Sequence, residues 1–142
     1  MAKEFINPQT LPNWAESFTQ VITVSSAGPA KTVYVSGQVA VDQDQNLIGA
    51  GDLRAQAMQA FRNLETALAA GGATTEDVVK LNIYVKDYKD ADAAAVGEAL
   101  RHYFPHKQLP TSTWLGVQAL AREGFLIEVD AVAILKDSQA TS

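Results

Sequence analysis

DLRAQAMQAFRNLETALAAGGATTEDVVKLNIYVK, residues 52–86, changes its hydrophobic period once, and that change decides the fold. From 53 to 68 the apolar residues Leu53, Ala57, Phe61, Leu64 and Leu68 recur three and four apart, the stripe of an amphipathic helix with Asp52 placed as its N-cap. Gly71 and Gly72 follow, where a helix commonly ends in a left-handed residue. Residues 74–77 resemble a capped single turn. From 78 to 86 the period drops to two, with Val79, Leu81, Ile83 and Val85 alternating with Lys80, Asn82, Tyr84 and Lys86. A helix running straight into a half-buried strand is the building unit of an α+β domain.

The flanking segments extend the pattern. Residues 3–6 and 18–24 read as short strands, and 31–41 alternates, with Val33, Val35, Val39 and Val41 on one face and Tyr34, Ser36, Gln38 and Ala40 on the other. Residues 90–104 predict a second, Ala-rich helix ended by Pro105. Strands at 111–120 and 125–135 flank a tight turn at 122–124, which predicts a hairpin. The order is β-β-β-α-β-α-β-β, and two helices can cover only one face of such a sheet. On the last strand Phe125, Ile127, Val129, Ala131 and Ala133 make the helix-facing row. The opposite row is Leu126, Glu128, Asp130, Val132 and Ile134. With Trp114 and Leu120 expected beside it, that second face is too apolar for water, so another subunit is expected to cover it.

The 142 residues suit a single domain over 1–136, and the polar segment 137–142 reads as a frayed tail. With 47% hydrophobic residues the chain can bury a real core. It has no cysteine, hence no disulfide, thiolate nucleophile or thiolate zinc site. A net charge of −5 with scattered Lys and Arg argues against a nucleic-acid partner. No apolar run is long enough for a membrane span, and MAKEFINPQTLPNW lacks the apolar stretch of a secretory signal, so a cytoplasmic protein is expected. His102 and His106 are four apart, but Pro105 breaks the helix that would align them on a metal.

Three stretches, in this order, resemble the reactive-intermediate deaminase (Rid, YjgF-like) family. They are VYVSGQVAVD (33–42), AQAMQAFRNLETALAAGGATTEDVVKLNIYVKD (55–87) and LIEVDAVA (126–133). The resemblance implies a chorismate-mutase-like fold and a homotrimer whose sheets enclose a central barrel, with small-molecule clefts between subunits. It also implies hydrolysis of short-lived enamines and imines from amino-acid breakdown to a 2-keto acid and ammonia, with no metal or organic cofactor.

Hydrolysing a 2-imino acid requires a grip on the carboxylate, ideally an Arg fork, and a group that manages protons at the C=N carbon. In the active branch of the family the fifth strand reads Pro-Ala-Arg-Ser. The matching stretch here is Pro110-Thr111-Ser112-Thr113-Trp114, with Ser112 where the Arg belongs and Trp114 where a small residue is usual. The family's Gly-Pro-Tyr-Ser-like segment is Glu16-Ser17-Phe18-Thr19 here, which keeps an aromatic wall without the hydroxyl. Glu128 matches the family's cleft glutamate and is the expected catalytic residue. Phe18, Ser36, Gly37, Gln38, Ser112 and Trp114 are expected to bind the substrate. Arg122 and Arg101 are the candidates for a displaced cation. These residues imply a deaminase-like hydrolase of a small C=N compound with divergent specificity. The alternative is a non-catalytic metabolite binder on the same scaffold.

Overall fold

The computed structural model describes residues 1–138. Its strands are β1 (Ala2–Ile6), β2 (Val21–Ser25), β3 (Ala30–Gln38), β4 (Val78–Lys86), β5 (Thr111–Val117) and β6 (Ile127–Lys136), with helices α1 (Leu53–Ala70) and α2 (Ala93–Tyr103). The tail expected over 137–142 lies, from residue 139 on, outside the described residues; Asp137 N donates to Pro29 O at 3.2 Å.

Helix α1 begins and ends as its sequence dictates. Asp52 accepts from Ala55 N at 3.1 Å, which satisfies one of the free N–H groups of the first turn. At the other end Ala73 N reaches Leu68 O and Gly72 N reaches Ala69 O, a Schellman closure whose left-handed residue is Gly72 (φ +83°). A Cβ on Gly71 would lie 2.7 Å from Val33 Cγ1, so the glycine also lets the helix end approach β3. Thr74 N then donates to the Asp77 carboxylate at 2.9 Å, closing a 3-10 turn, Thr75–Asp77, directly before β4.

Both helices lie on one face of a four-stranded sheet of order β3-β6-β4-β5, while β1 and β2 form a separate antiparallel pair. The core is the layer between them. Phe61, Leu64 and Leu68 of α1 and Val96 and Leu100 of α2 meet Leu81, Ile83 and Val85 of β4 and Ile127, Val129, Ala131 and Ala133 of β6. Phe61 contacts Phe104 edge-on (6.1 Å, 84°) and Tyr103 in a parallel stack (6.2 Å, 11°).

Four local expectations are corrected. First, β5 and β6 do not form a hairpin. Strand β5 runs parallel to β4, joined through α2, and the connection 118–126 carries the chain past β4 so that β6 pairs antiparallel with both β3 and β4. The residues explain the exchange: β6 is apolar on both rows and takes a central place, whereas β5, with Pro110 before it and Gly116 inside it, takes an edge. Second, a bulge at Ser36 and Gly37 inserts one residue between the pairs Val35–Ala131 and Gln38–Val129. That slip inverts the alternation, so Gln38 and the buried Ala40 follow Val33 and Val35 on the helix side. Third, a bulge between Val78 and Lys80 puts Val78, rather than Val79, into the core. Fourth, Trp114 pairs with Ile83 and so shares the helix face, and Leu120 lies beyond the end of β5. The outer face carries Leu115 instead, 48% exposed, with Tyr34, 79% exposed, and the half-buried Val132 and Ile134. It remains a bare, partly apolar surface.

Candidate functional site

On the outer face the β4–β6 register sets Tyr84 beside Glu128 and Asn82 beside Asp130. Asn82 Nδ2 donates to Asp130 Oδ1 at 2.8 Å, which holds that carboxylate in place. Glu128 lies across Gly37. A Cβ built on Gly37 would fall 2.6 Å from Glu128 Cδ, so the space the carboxyl occupies is the side chain that Gly37 lacks. Ser36, next to it in the bulge, is exposed. Burial, and then the charge of Asp130, raise the Glu128 carboxyl above the usual carboxylate range. The Tyr84 phenol is raised too, first by burial, then by the charge of Asp130 and a hydrogen bond to it, then by Glu128. Tyr84 therefore stays protonated and serves as a donor among acids.

On the inner face, at the β5 edge, Ser112 and Trp114 join the connection between β1 and β2. Ser17 N and Phe18 N both donate to Trp14 O (2.8 and 3.0 Å), folding 14–18 into a turn. Thr19 pins that turn to the sheet by donating from N to Pro110 O and from its hydroxyl to Leu109 O. Phe18 thus sits in a turn; β2 starts only at Val21. Trp14, Ser17, Phe18, Ser112 and Trp114 line a cavity of about 330 Å³. Ser112 Oγ and Trp114 Nε1 are themselves buried away from water and have no hydrogen-bond partner among the described residues. An unmatched buried donor of this kind costs about 1–3 kcal/mol, so such groups are rare.

The structure therefore groups the expected residues into two clusters on opposite faces of the sheet. Glu128 and Gly37, with Ser36 beside them, form one; Phe18, Ser112 and Trp114 form the other. Gln38 joins neither. It faces the helix side opposite Val129, where its Nε2 donates to Ser36 O at 3.1 Å. Neither arginine reaches the cavity: Arg122 donates to Gln45 Oε1 at 2.7 Å and lies over the Phe125 ring, and Arg101 packs beside Gly97. His106 is held between Thr75 Oγ1 (3.0 Å) and the Glu76 carboxylate (3.3 Å). Among the described residues no three His, Asp or Glu side chains converge as metal ligands.

Asn82, Tyr84, Asp130 and Trp14 were not among the expected site residues. The two Asx groups and the phenol share a period-two phase with Glu128, but only the β4–β6 register shows that they are neighbours.

Two helices on one face of a mixed sheet, with Glu128 and Asp130 on the other, define a small α+β fold. The chain belongs to the Rid (YjgF-like) family: the family model described as "Endoribonuclease L-PSP" matches residues 9–135. It is similar to a RutC family protein of Pyrococcus abyssi, 31% identical over 94% of this chain and 98% of that one. It is also similar to the 2-iminobutanoate/2-iminopropanoate deaminase of Dermatophagoides farinae, 27% identical over 94% and 98%. Among solved structures, a Rid-family protein of unknown function from Yersinia pestis superposes with a TM-score of 0.85, at 34% identity, over 95% of this chain and 100% of that one.

Proposed function

We propose that this protein hydrolyses a small C=N compound in a cleft completed between copies of the chain, most simply in a homotrimer. The observation that carries the reading is the separation just described. A desolvated carboxyl stands on the bare outer face, a sealed donor pair stands on the inner edge, and the sheet lies between them. One subunit cannot bring these halves to the same substrate; two neighbouring ones can. The imine and iminobutanoate names of relatives support the reaction class.

In the proposed step the Glu128 carboxylate takes a proton from water as the water oxygen bonds to the C=N carbon. The proton passes to nitrogen, giving a carbinolamine; Glu128 then moves the hydroxyl proton to the nitrogen as the C–N bond breaks, which releases ammonia and leaves a carbonyl. Burial, and then the charge of Asp130, keep the Glu128 pKa raised. Ser112, uncharged, stands where the family's active branch has a charged fork, and this supports a divergent specificity. Ribonuclease chemistry, which the family description names, is not proposed, because the net charge of −5 gives a phosphate backbone little to bind.

Imines generated in situ from a panel of amino acids by an amino-acid oxidase are expected to decay faster with the protein present. Glu128→Ala is expected to lower that acceleration by about 100-fold or more. The same absence of a cation at Ser112 favours the second reading, a metabolite binder without turnover. That reading prevails if no imine is accelerated while a small carbonyl compound raises the melting temperature.

A further inference from the structure

A second cavity opens where the turn 14–18 meets the end of α2. Thr19, bonded to Leu109 O and Pro110 O, pins that turn and so sets Ala15 and Glu16 against residues 100–109. The cavity has a volume of about 310 Å³, and it shares no lining residue with the cavity of Phe18, Ser112 and Trp114. Leu100, Phe104 and Leu109, all buried, give it an apolar floor. Arg101, Lys107 and Glu16, all exposed, are the charged side chains of its rim. His106 lines it as well, but its ring is already engaged by Thr75 and Glu76. The three rim charges differ in sign, yet among the described residues none of these side chains forms an ion pair or a hydrogen bond. Opposite charges that line one cavity without closing on each other are all matched only by a ligand that carries both signs. A guanidinium forks onto a carboxylate, a carboxylate such as that of Glu16 accepts from an ammonium, and an apolar floor takes a hydrocarbon group out of water.

We infer that this cavity binds a small zwitterionic amino acid with an apolar side chain. Arg101 and Lys107 hold its carboxylate, Glu16 holds its ammonium, and Leu100, Phe104 and Leu109 receive its side chain. An acid without the ammonium leaves Glu16 unmatched and facing a like charge. An amine without the carboxylate leaves Arg101 and Lys107 unmatched. The volume, about 310 Å³, is at the small end of small-molecule sites and suits an amino acid of leucine's size. Exposed ion pairs are individually weak, so the expected affinity is millimolar. The site does not include Glu128, and it stands whether or not the protein hydrolyses a C=N bond.

Titrating the isotopically labelled protein with leucine, while its backbone amides are followed by NMR, both measures the affinity and locates the ligand. Leucine is expected to shift the amides of Ala15, Glu16, Arg101 and Lys107 and to saturate at millimolar concentration. Glycine, which lacks the side chain, is expected to bind about tenfold more weakly or worse. Ketoisocaproate and isoamylamine keep leucine's hydrocarbon skeleton but lack the ammonium and the carboxylate respectively. Each is expected to bind this site about threefold more weakly or worse. Arg101→Gln is expected to weaken leucine and ketoisocaproate, and Glu16→Gln to weaken leucine and isoamylamine, each by about three- to fivefold. Both changes fall on exposed side chains, so both variants are expected to fold. Glu128→Ala is expected to abolish hydrolysis and leave the leucine titration unaltered. No shift at tens of millimolar leucine, or shifts confined to the cavity of Phe18 and Ser112, overturns the inference. So does ketoisocaproate binding as tightly as leucine, or a leucine affinity unchanged by both rim variants.

Discussion

A side chain that draws a proton from water works best when its pKa lies near the operating pH. Glu128 is raised toward that range by burial and by Asp130, which has two measurable consequences of opposite sense. The hydrolytic rate is expected to rise with pH through an apparent pKa above the ordinary glutamate value of about 4.3, because only the ionised form accepts a proton. Stability is expected to move the other way. The folded chain binds the Glu128 proton more tightly than the unfolded chain does, so stability falls as pH climbs from the ordinary carboxylate range through the raised pKa. Glu128→Gln, which carries no charge, should therefore melt higher than the wild type near pH 7 and coincide with it near pH 4. A lower melting point at pH 7 would mean that the carboxylate is stabilised by its surroundings. Gly37 could be picked out from the sequence because it interrupts a strand, Glu128 because it is an acid in an apolar row that matches the family's cleft glutamate, and Ser112 only because it stands where the family's active branch has an Arg. Tyr84 and Asn82 could not, because a polar residue in an alternating strand looks the same whichever strand lies beside it, and Trp14 lies in a connection whose place against β5 no pattern shows.

Elements are held in register here by two amides of α1. Gln56 is fully buried; its Nε2 donates to Gly49 O (3.1 Å) and Gly124 O (2.8 Å), and its Oε1 accepts from Leu126 N (2.9 Å). Asn63 donates to Val39 O and Val41 O and accepts from Gln59. Between them they tie the helix to the loop before it, to the end of β3 and to the start of β6. Gln56→Ala leaves Gly124 O and Leu126 N unmatched, while Gly49 O keeps its bond from Asp52 N, and at about 1 kcal/mol each the expected destabilisation in urea is about 2 kcal/mol. A loss under about 1 kcal/mol would show that water replaces the amide. The helices themselves were legible almost to the residue, since 52–70 was expected and Leu53–Ala70 is found with Asp52 as its cap. The bulges were not. One extra residue leaves composition and period nearly unchanged, yet it turns every later side chain of β3 to the other face and moves Gln38 away from Glu128.

For the whole molecule, the outer face with Tyr34, Leu115, Val132 and Ile134 is the surface through which copies are expected to associate. Sedimentation is expected to give a trimer, and Tyr34→Glu to shift it toward monomer while hydrolysis falls in parallel, since each half-site loses its counterpart. A wild-type protein that sediments as a stable monomer removes the basis for the cleft. The layer architecture was legible because both rows of β6 are apolar enough to need cover, whereas strand order was not, because adjacency in sequence suggested a β5–β6 hairpin that the sheet does not contain. That order also constrains synthesis. The central strand β6 is made after every other strand of its sheet, and it pairs with β3, about a hundred residues earlier. Until it arrives β3 and β4 have no common neighbour, so the sheet closes late in synthesis, and a chain stopped before residue 127 lacks the strand that joins them.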